Sequence, residues 1–390
     1  QMPFETSKAF EHIDRLAYGI GPRISGTRGE SLSADYIQNY LKSIGLETRR
    51  QVFIFTDRRA RRKIFSIILA VSLPFMLLFP PEISIPMWFS LLALTFFAPL
   101  PRRRGINIIA RIRGKPPVVA LSAHHDSAKR SKIKKKLFPI SISIATIAVL
   151  IRPISAYWAL LWPPCFILLA VNALFMLKRE ELSPGANDNA SGVAVLLEVA
   201  RCLREIQDPP EVFFLFTGAE EQGLEGMKNI LKEKIIPRGT PILNIDTVGF
   251  GSQIYFIEGN GLHRRLTTSF ELNKKLEETA ARLQLKILPW WSVYAKHDHM
   301  PAISAGHPST TITLDSPDQQ TDKKAVEKGL INAKKRSYKW LHTKDDLPDK
   351  LDVNAVETAG NLILEFLGVR TQQTQLDLSK SENVEMEVKP

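Results

Sequence analysis

FFLFTGAEEQGLEG, residues 213–226, is the stretch from which the rest of the chain can be read. Its apolar half has the length and bulk of a buried strand, and it stops abruptly at two adjacent carboxylates followed by glycines. Side chains alternate along an extended backbone, so Glu220 and Glu221 point in different directions at the strand end. One can grip a metal ion while the other stands over a water. Hydrolytic metal chemistry needs that pairing: a fixed Lewis acid, and a carboxylate that takes and returns a proton. A solvated Glu-Glu pair at a helix start would carry the same letters, so the other segments must decide.

Working outward, hydrophobic periodicity predicts helices over 5–16, 32–41, 193–206, 224–235, 262–283 and 353–366. Strand patterns fall at 51–55, 106–114, 118–122, 242–246, 254–258 and 310–314, with Phe53 and Ile108 expected on neighbouring strands. Alternating strands and helices predict an α/β fold with a mixed, largely parallel sheet and helices on both faces. Residues 21–30, GPRISGTRGE, are turn-rich and are expected near the rim of a site.

Four apolar runs interrupt this pattern, at 64–80, 85–100, 137–151 and 155–177. They read as two transmembrane helical hairpins, spanning or re-entrant, inserted into one domain. The expected organisation is the start of the α/β domain at 1–57, a first hairpin at 58–104, more of the domain at 105–128, a second hairpin at 129–180, the remainder at 181–370 and a flexible tail at 371–390. The charge agrees: sixteen lysines and arginines cluster at 58–63, 102–104, 129–136 and 178–179, and removing them turns the formal charge of +12 into −4. Such flanks suggest a lipid bilayer as partner, argue against nucleic acid, and place the soluble part on the cytoplasmic side. Two cysteines, Cys165 and Cys202, exclude a disulfide framework, and the charged residues after Phe4 lead to the expectation of no secretory signal.

The polar residues that could do chemistry gather where strands end. His124 and Asp126 follow the strand at 118–122, Glu220 and Glu221 follow the central strand, and Asp246 closes another; Asp188 opens a helix and His342 lies in a late loop. In α/β sheets ligands collect at the carboxyl edge, and a shell of imidazole nitrogens and carboxylate oxygens suits two zinc-like ions sharing a carboxylate. Singly, each residue has an ordinary explanation: a loop histidine, a helix cap, a strand terminus.

The segments SAHHDS (122–127), GANDNASGVAVLLEVAR (185–201), FTGAEEQGLEG (216–226), NIDTVG (244–249), HDHMP (297–301) and HTKDD (342–346) occur in this order. Together they resemble the di-zinc aminopeptidase family, which includes leucyl aminopeptidases, glutamate carboxypeptidase II and glutaminyl cyclases. The resemblance implies a zinc-exopeptidase-like fold and a zinc-dependent aminopeptidase acting on peptides. It implies two Zn2+ ions, one held by His124, Asp188 and Asp246, the other by Asp188, Glu221 and His342, with Asp188 bridging. Asp126 would steady the far nitrogen of His124, Glu220 would be the general base toward the attacking water, and the Asp188-Asn189 peptide would be cis. Alternatives left open are a glutaminyl-cyclase-like transferase, a carboxypeptidase, and an inactive receptor or scaffold. Where many relatives have Ser-Asp-His, this chain has His297-Asp298-His299, whose role is undefined. Trp290, Trp291 and Tyr294 could form a hydrophobic pocket for the substrate's terminal side chain, or else pack in the core or anchor at a membrane surface. The second hairpin, between His124 and Asp188, would bring the site close to a bilayer.

Overall fold

The structure is a computed structural model that describes residues 4–76, 78–97, 101–130, 137–151, 153, 163–168, 170–171, 174, 180–317, 329–330, 335–336 and 338–369. The chain forms two compact units. One comprises Gln1–Phe53, Arg104–Lys129 and Leu182–Pro390; the other comprises Ile54–Arg103 and Arg130–Glu181.

In chain order the strands are β1 (Thr48–Thr56), β2 (Arg102–Ile112), β3 (Lys115–His124), β4 (Lys129–Arg130), β5 (Glu181–Leu182), β6 (Pro210–Thr217), β7 (Ile242–Ile245), β8 (Gln253–Asn260), β9 (Leu266–Thr267), β10 (Ile287–Ser292) and β11 (Ser309–Asp315). Nine of them form one sheet in the order β1-β2-β6-β3-β7-β11-β8-β10, with β9 on β8, while β4 and β5 pair with each other. β3 runs parallel to β6 and β7, β11 parallel to β7, and β10 parallel to β8; β2 against β6 and β11 against β8 are antiparallel. The sheet is therefore mixed and mostly parallel.

β6 shows why its sequence is apolar at every step. Val212, Phe214 and Phe216 join the main core on one face, and Phe213 and Leu215 join a second cluster on the other. A strand covered on both sides has no solvent face to mark with polar residues. The main core is closed by the helices Thr6–Asp14, Arg28–Ser43, Ser191–Arg204, Phe270–Arg282 and Val353–Phe366; the second is closed by Glu225–Lys232 and His299–Ser304. Ser191–Arg204 is the most deeply placed helix of the main core, buried from Ser191 to Leu203.

Several element boundaries differ from the sequence pattern for local reasons. The helix expected over 262–283 begins only at Phe270, because Ser269 caps it by accepting from Leu272 N at 3.4 Å and Leu266–Thr267 pair with β8. Residues 287–292, outside the expected strands, form strand β10 and carry Trp290 and Trp291. The tail at 371–390 lies outside the described residues.

The second unit corrects the membrane expectation. Among the described residues no helix is long and apolar enough to cross a membrane. The helix Arg58–Met76 contains the basic cluster 58–63, so its apolar part, 64–76, is only about 20 Å long against a hydrocarbon core of about 30 Å. Pro81–Phe97 has 17 residues with Glu82 in its first turn and Pro86 inside, and Leu137–Ile151 has 15. These helices pack on one another through Leu69, Leu73, Trp88, Ala145 and Val149, with Trp88 Nε1 donating to Thr146 Oγ1 at 3.0 Å. Four membrane segments with a cytoplasmic catalytic part, and a lipid bilayer as partner, are therefore not retained. Most of the fourth run, 155–177, lies outside the described residues.

Candidate dinuclear metal centre

The parallel strands deliver their carboxyl ends to one edge. His124 is the last residue of β3 and pairs in register with Thr217, the last of β6; Asp246 follows β7 directly. Asp188 sits in a kinked turn, Ala186–Ala190, where Asp188 (φ −115°, ψ 88°) and Asn189 (φ −136°, ψ 46°) leave the helical conformation before Ser191–Arg204 begins, and the Asp188-Asn189 peptide is cis. His342 comes from the loop before the last helix.

Two groups of ligand-type atoms result. His124, Asp188 and Asp246 form one and Asp188, Glu221 and His342 the other, and within each group the atoms lie within 4.8 Å of one another. His124 Nε2 lies 3.1 Å from Asp188 Oδ1 and 3.9 Å from Asp246 Oδ1. His342 Nε2 lies 2.7 Å from Asp188 Oδ2 and 3.4 Å from Glu221 Oε1. Asp188 thus turns one oxygen to each group. A nitrogen and oxygen donor set at this spacing, with one carboxylate common to both, fits a pair of zinc-like ions.

The ligands are themselves held. Asp246 Oδ2 accepts from His297 Nδ1 at 2.6 Å, which leaves Oδ1 for the centre. Asp126 lies against the far nitrogen of His124, as the resemblance implies. Its peptide oxygen, at 3.1 Å, is what meets His124 Nδ1, and its carboxylate oxygen is 3.5 Å away. The carboxylate also accepts from Ser25 Oγ at 2.7 Å and from the backbone amides of Glu220 and Glu221 at 3.1 and 3.2 Å. It therefore fixes the turn carrying the two glutamates. The backbone is strained beside the ligands: Ala219 (φ 52°), Thr247 (φ 56°) and His342 (φ 61°) adopt left-handed conformations that non-glycine residues avoid. Such strain costs about 1–3 kcal/mol per residue and collects at functional sites.

Burial and crowding of charge shape the electrostatics. Burial, with Glu221, Asp298 and Asp246 nearby, raises the Glu220 carboxyl well above its usual range, against the pull of His124. Burial works against charge on His342, but Glu221, Asp188 and Asp346 outweigh it and raise the imidazole to about 9. His124 is likewise raised, its burial outweighed by Glu220, Asp126, Asp188 and Asp246. With no ion bound, protons on these imidazoles balance the carboxylates, and a cation would take over that role.

Of the remaining expected residues, Trp290 and Trp291 are buried in β10. Trp290 packs with Tyr255 and Ile257, Trp291 packs with Leu330 and donates Nε1 to Gly261 O at 2.8 Å, and Tyr294 is exposed. His299 bridges Thr311 Oγ1 and Asn260 Oδ1, both at 2.6 Å, which is a framing contact between strands. Asp298 Oδ2 accepts from Thr217 Oγ1 at 2.5 Å, and burial raises its carboxyl to about 6. The contact of His297 with Asp246 went unseen in the sequence, because only the fold brings residues 51 positions apart into register.

Comparison with known proteins gives consistent results. A profile described as Peptidase family M28 matches residues 107–367. Aminopeptidase YwaD of Bacillus subtilis is 25% identical over 408 residues, covering 93% of this chain and 84% of its own length. Among solved structures, a Zn-dependent exopeptidase from Parabacteroides distasonis superposes with a TM-score of 0.60 at 16% identity, covering 95% of this chain and 99% of that one. A glutaminyl cyclase from Porphyromonas gingivalis superposes with a TM-score of 0.58 at 17% identity, covering 94% and 99%. At these identities the two structures establish a shared fold.

Proposed function

The chain belongs to peptidase family M28, and from that premise we propose that it is a two-zinc aminopeptidase releasing N-terminal residues from peptides. His124 and Asp246 would hold one ion, Glu221 and His342 the other, and Asp188 both. The observation that carries this reading is the split of the Asp188 carboxylate, Oδ1 toward His124 and Oδ2 toward His342. When bound, the ions supply Lewis acidity toward a peptide carbonyl and make water a competent nucleophile at neutral pH.

The chain's own residues supply the proton chemistry and the alignment. Glu220 stands buried among His124, Glu221, Asp298 and Asp246, with its carboxyl raised so that it can accept a proton from water and pass it to the departing amine. Asp126 holds the Glu220 and Glu221 amides, so both side chains keep a fixed origin. The complete pair of ligand groups supports hydrolysis over the inactive scaffold.

The glutaminyl-cyclase-like alternative shares the fold, and one assay separates it. Purified protein is offered peptides with free, acetylated and glutaminyl N-termini, with and without a chelator. The proposal expects chelator-sensitive release of free N-terminal residues from unblocked peptides. Equal cleavage of acetylated peptides would remove the aminopeptidase reading, and pyroglutamyl products without hydrolysis would replace it by the cyclase. Peptides shortened from the carboxyl end would indicate a carboxypeptidase.

A further inference from the structure

Arg23 is fully buried, and its guanidinium meets backbone carbonyls in place of a carboxylate. Nε donates to His125 O at 2.8 Å, Nη1 to Leu16 O at 3.1 Å and Pro184 O at 2.5 Å, and Nη2 to Gly185 O at 2.8 Å. Two of the segments it grips carry ligands: His125 follows His124, and Pro184 and Gly185 lead into Asp188. The surrounding backbone repeats the link. Arg23 N donates to Ser127 Oγ at 2.9 Å, Ser127 N donates to Arg23 O at 3.1 Å, and Ser127 Oγ donates to Ser183 O at 2.8 Å.

An acidic side chain holds the same loop by its other polar groups. Asp346 Oδ1 accepts from Asn187 N at 2.7 Å, Oδ2 accepts from Asp188 N at 3.3 Å, and its peptide oxygen accepts from Ala186 N at 3.2 Å. Asp346 lies four residues after His342. The loop at 184–188 is thus gripped through its carbonyls by a buried guanidinium and through its amides by a buried carboxyl group. A close fit leaves little slack: a Cβ on Gly185, whose φ is +63°, would lie 2.4 Å from Asp188 O and 2.7 Å from Ser127 Cβ.

Burying a guanidinium and a carboxylate costs several kcal/mol per ion unless hydrogen bonds satisfy them. Apolar packing could join loops at lower cost. What charged groups add is direction, and the planar fork of arginine reaches diverging carbonyls in a way the single ammonium of lysine does not. Arg23 also lies outside the matched residues 107–367.

We propose that Arg23 and Asp346 are the positioning pair for the bridging carboxylate, a conclusion that rests on the two-ion reading above. Arg23 sets the His124 loop against the Asp188 loop, and Asp346 sets the His342 loop against that same loop. The two ion positions are thereby referred to one rigid segment, which fixes their separation.

The test measures zinc affinity, not turnover. Metal-stripped wild type, Arg23→Lys and Asp346→Asn are titrated with zinc against a competing chelator, below the melting midpoint that circular dichroism gives for each metal-free protein. Cobalt-loaded samples report magnetic coupling between the ions. The wild type is expected to take two ions. Each variant should weaken both ions by about 10–100-fold, the range for residues that orient metal ligands, and should reduce the coupling. Wild-type affinity and coupling in both variants would overturn the proposal. Should Arg23→Lys fail to fold, Asp346→Asn decides alone by the same criterion. A wild type that binds fewer than two ions would instead overturn the dinuclear reading.

Discussion

Replacing Glu220 by glutamine separates base catalysis from metal binding. The amide keeps the size and shape of the carboxyl but cannot take a proton from water. General-base groups contribute about 10²–10⁴ in rate. The surroundings push the expectation toward the upper half, because neighbouring acids are already engaged. Glu221 and Asp246 belong to the ligand groups, and the Asp126 carboxylate is used by Ser25 and two backbone amides. Asp298 is the remaining acid beside Glu220, and Thr217 occupies one of its oxygens. A loss of about 10³–10⁴ in kcat is therefore expected, equivalent to about 4–5.5 kcal/mol of transition-state stabilisation. The turn should survive, since Asp126 contacts the backbone of residue 220 and not its side chain. The assay is initial-rate hydrolysis of aminoacyl substrates alongside metal analysis of the same sample. Activity within about tenfold of wild type, with both ions retained, would refute the assignment of Glu220 as base.

Three further outcomes follow from the same geometry. His297→Ala removes the partner of Asp246 Oδ2 and should weaken zinc binding by about 10–100-fold, measured by chelator competition; unchanged affinity would show that Asp246 needs no support. In metal-free protein the His342 imidazole is raised to about 9. Its contribution to stability is therefore complete below the ordinary histidine value of about 6.5 and is lost as pH rises through about 9. Calorimetry of chelator-treated protein should show this decline and its absence in His342→Gln, while zinc affinity rises over the same window as the proton is displaced; a flat profile in both would contradict it. Phe214→Ala, at a fully buried position of the main core, should cost about 3–5 kcal/mol in denaturant unfolding, and a loss below about 1 kcal/mol would mean that β6 is not covered as described.

The sequence revealed most where local pattern and fold agree. The run Phe213–Phe216 is apolar at every position because both faces of β6 are covered, and its abrupt end at Glu220-Glu221 marks the carboxyl edge where His124 and Asp246 also emerge. What stayed hidden depends on long-range contacts. Nothing about Arg23 distinguishes it from a surface arginine, yet the turn-rich segment 21–30, expected at a rim, lies partly inside, with Ser25 on Asp126. The left-handed φ values of Thr247 and His342 are imposed by their surroundings, and no glycine signals them. The membrane expectation failed for the opposite reason. Hydropathy measures composition, whereas spanning depends on uninterrupted helix length, which the basic cluster at 58–63 and the non-helical residues 78–80 curtail.

Metal content bears most directly on the centre as a whole. Wild-type protein dialysed against metal-free buffer after zinc loading should retain two zinc ions per chain by mass spectrometry, and Asp188→Ala, which removes the oxygen partner of both groups at once, should retain none. Two ions kept by Asp188→Ala, or none in wild type, would contradict a centre built on a shared aspartate.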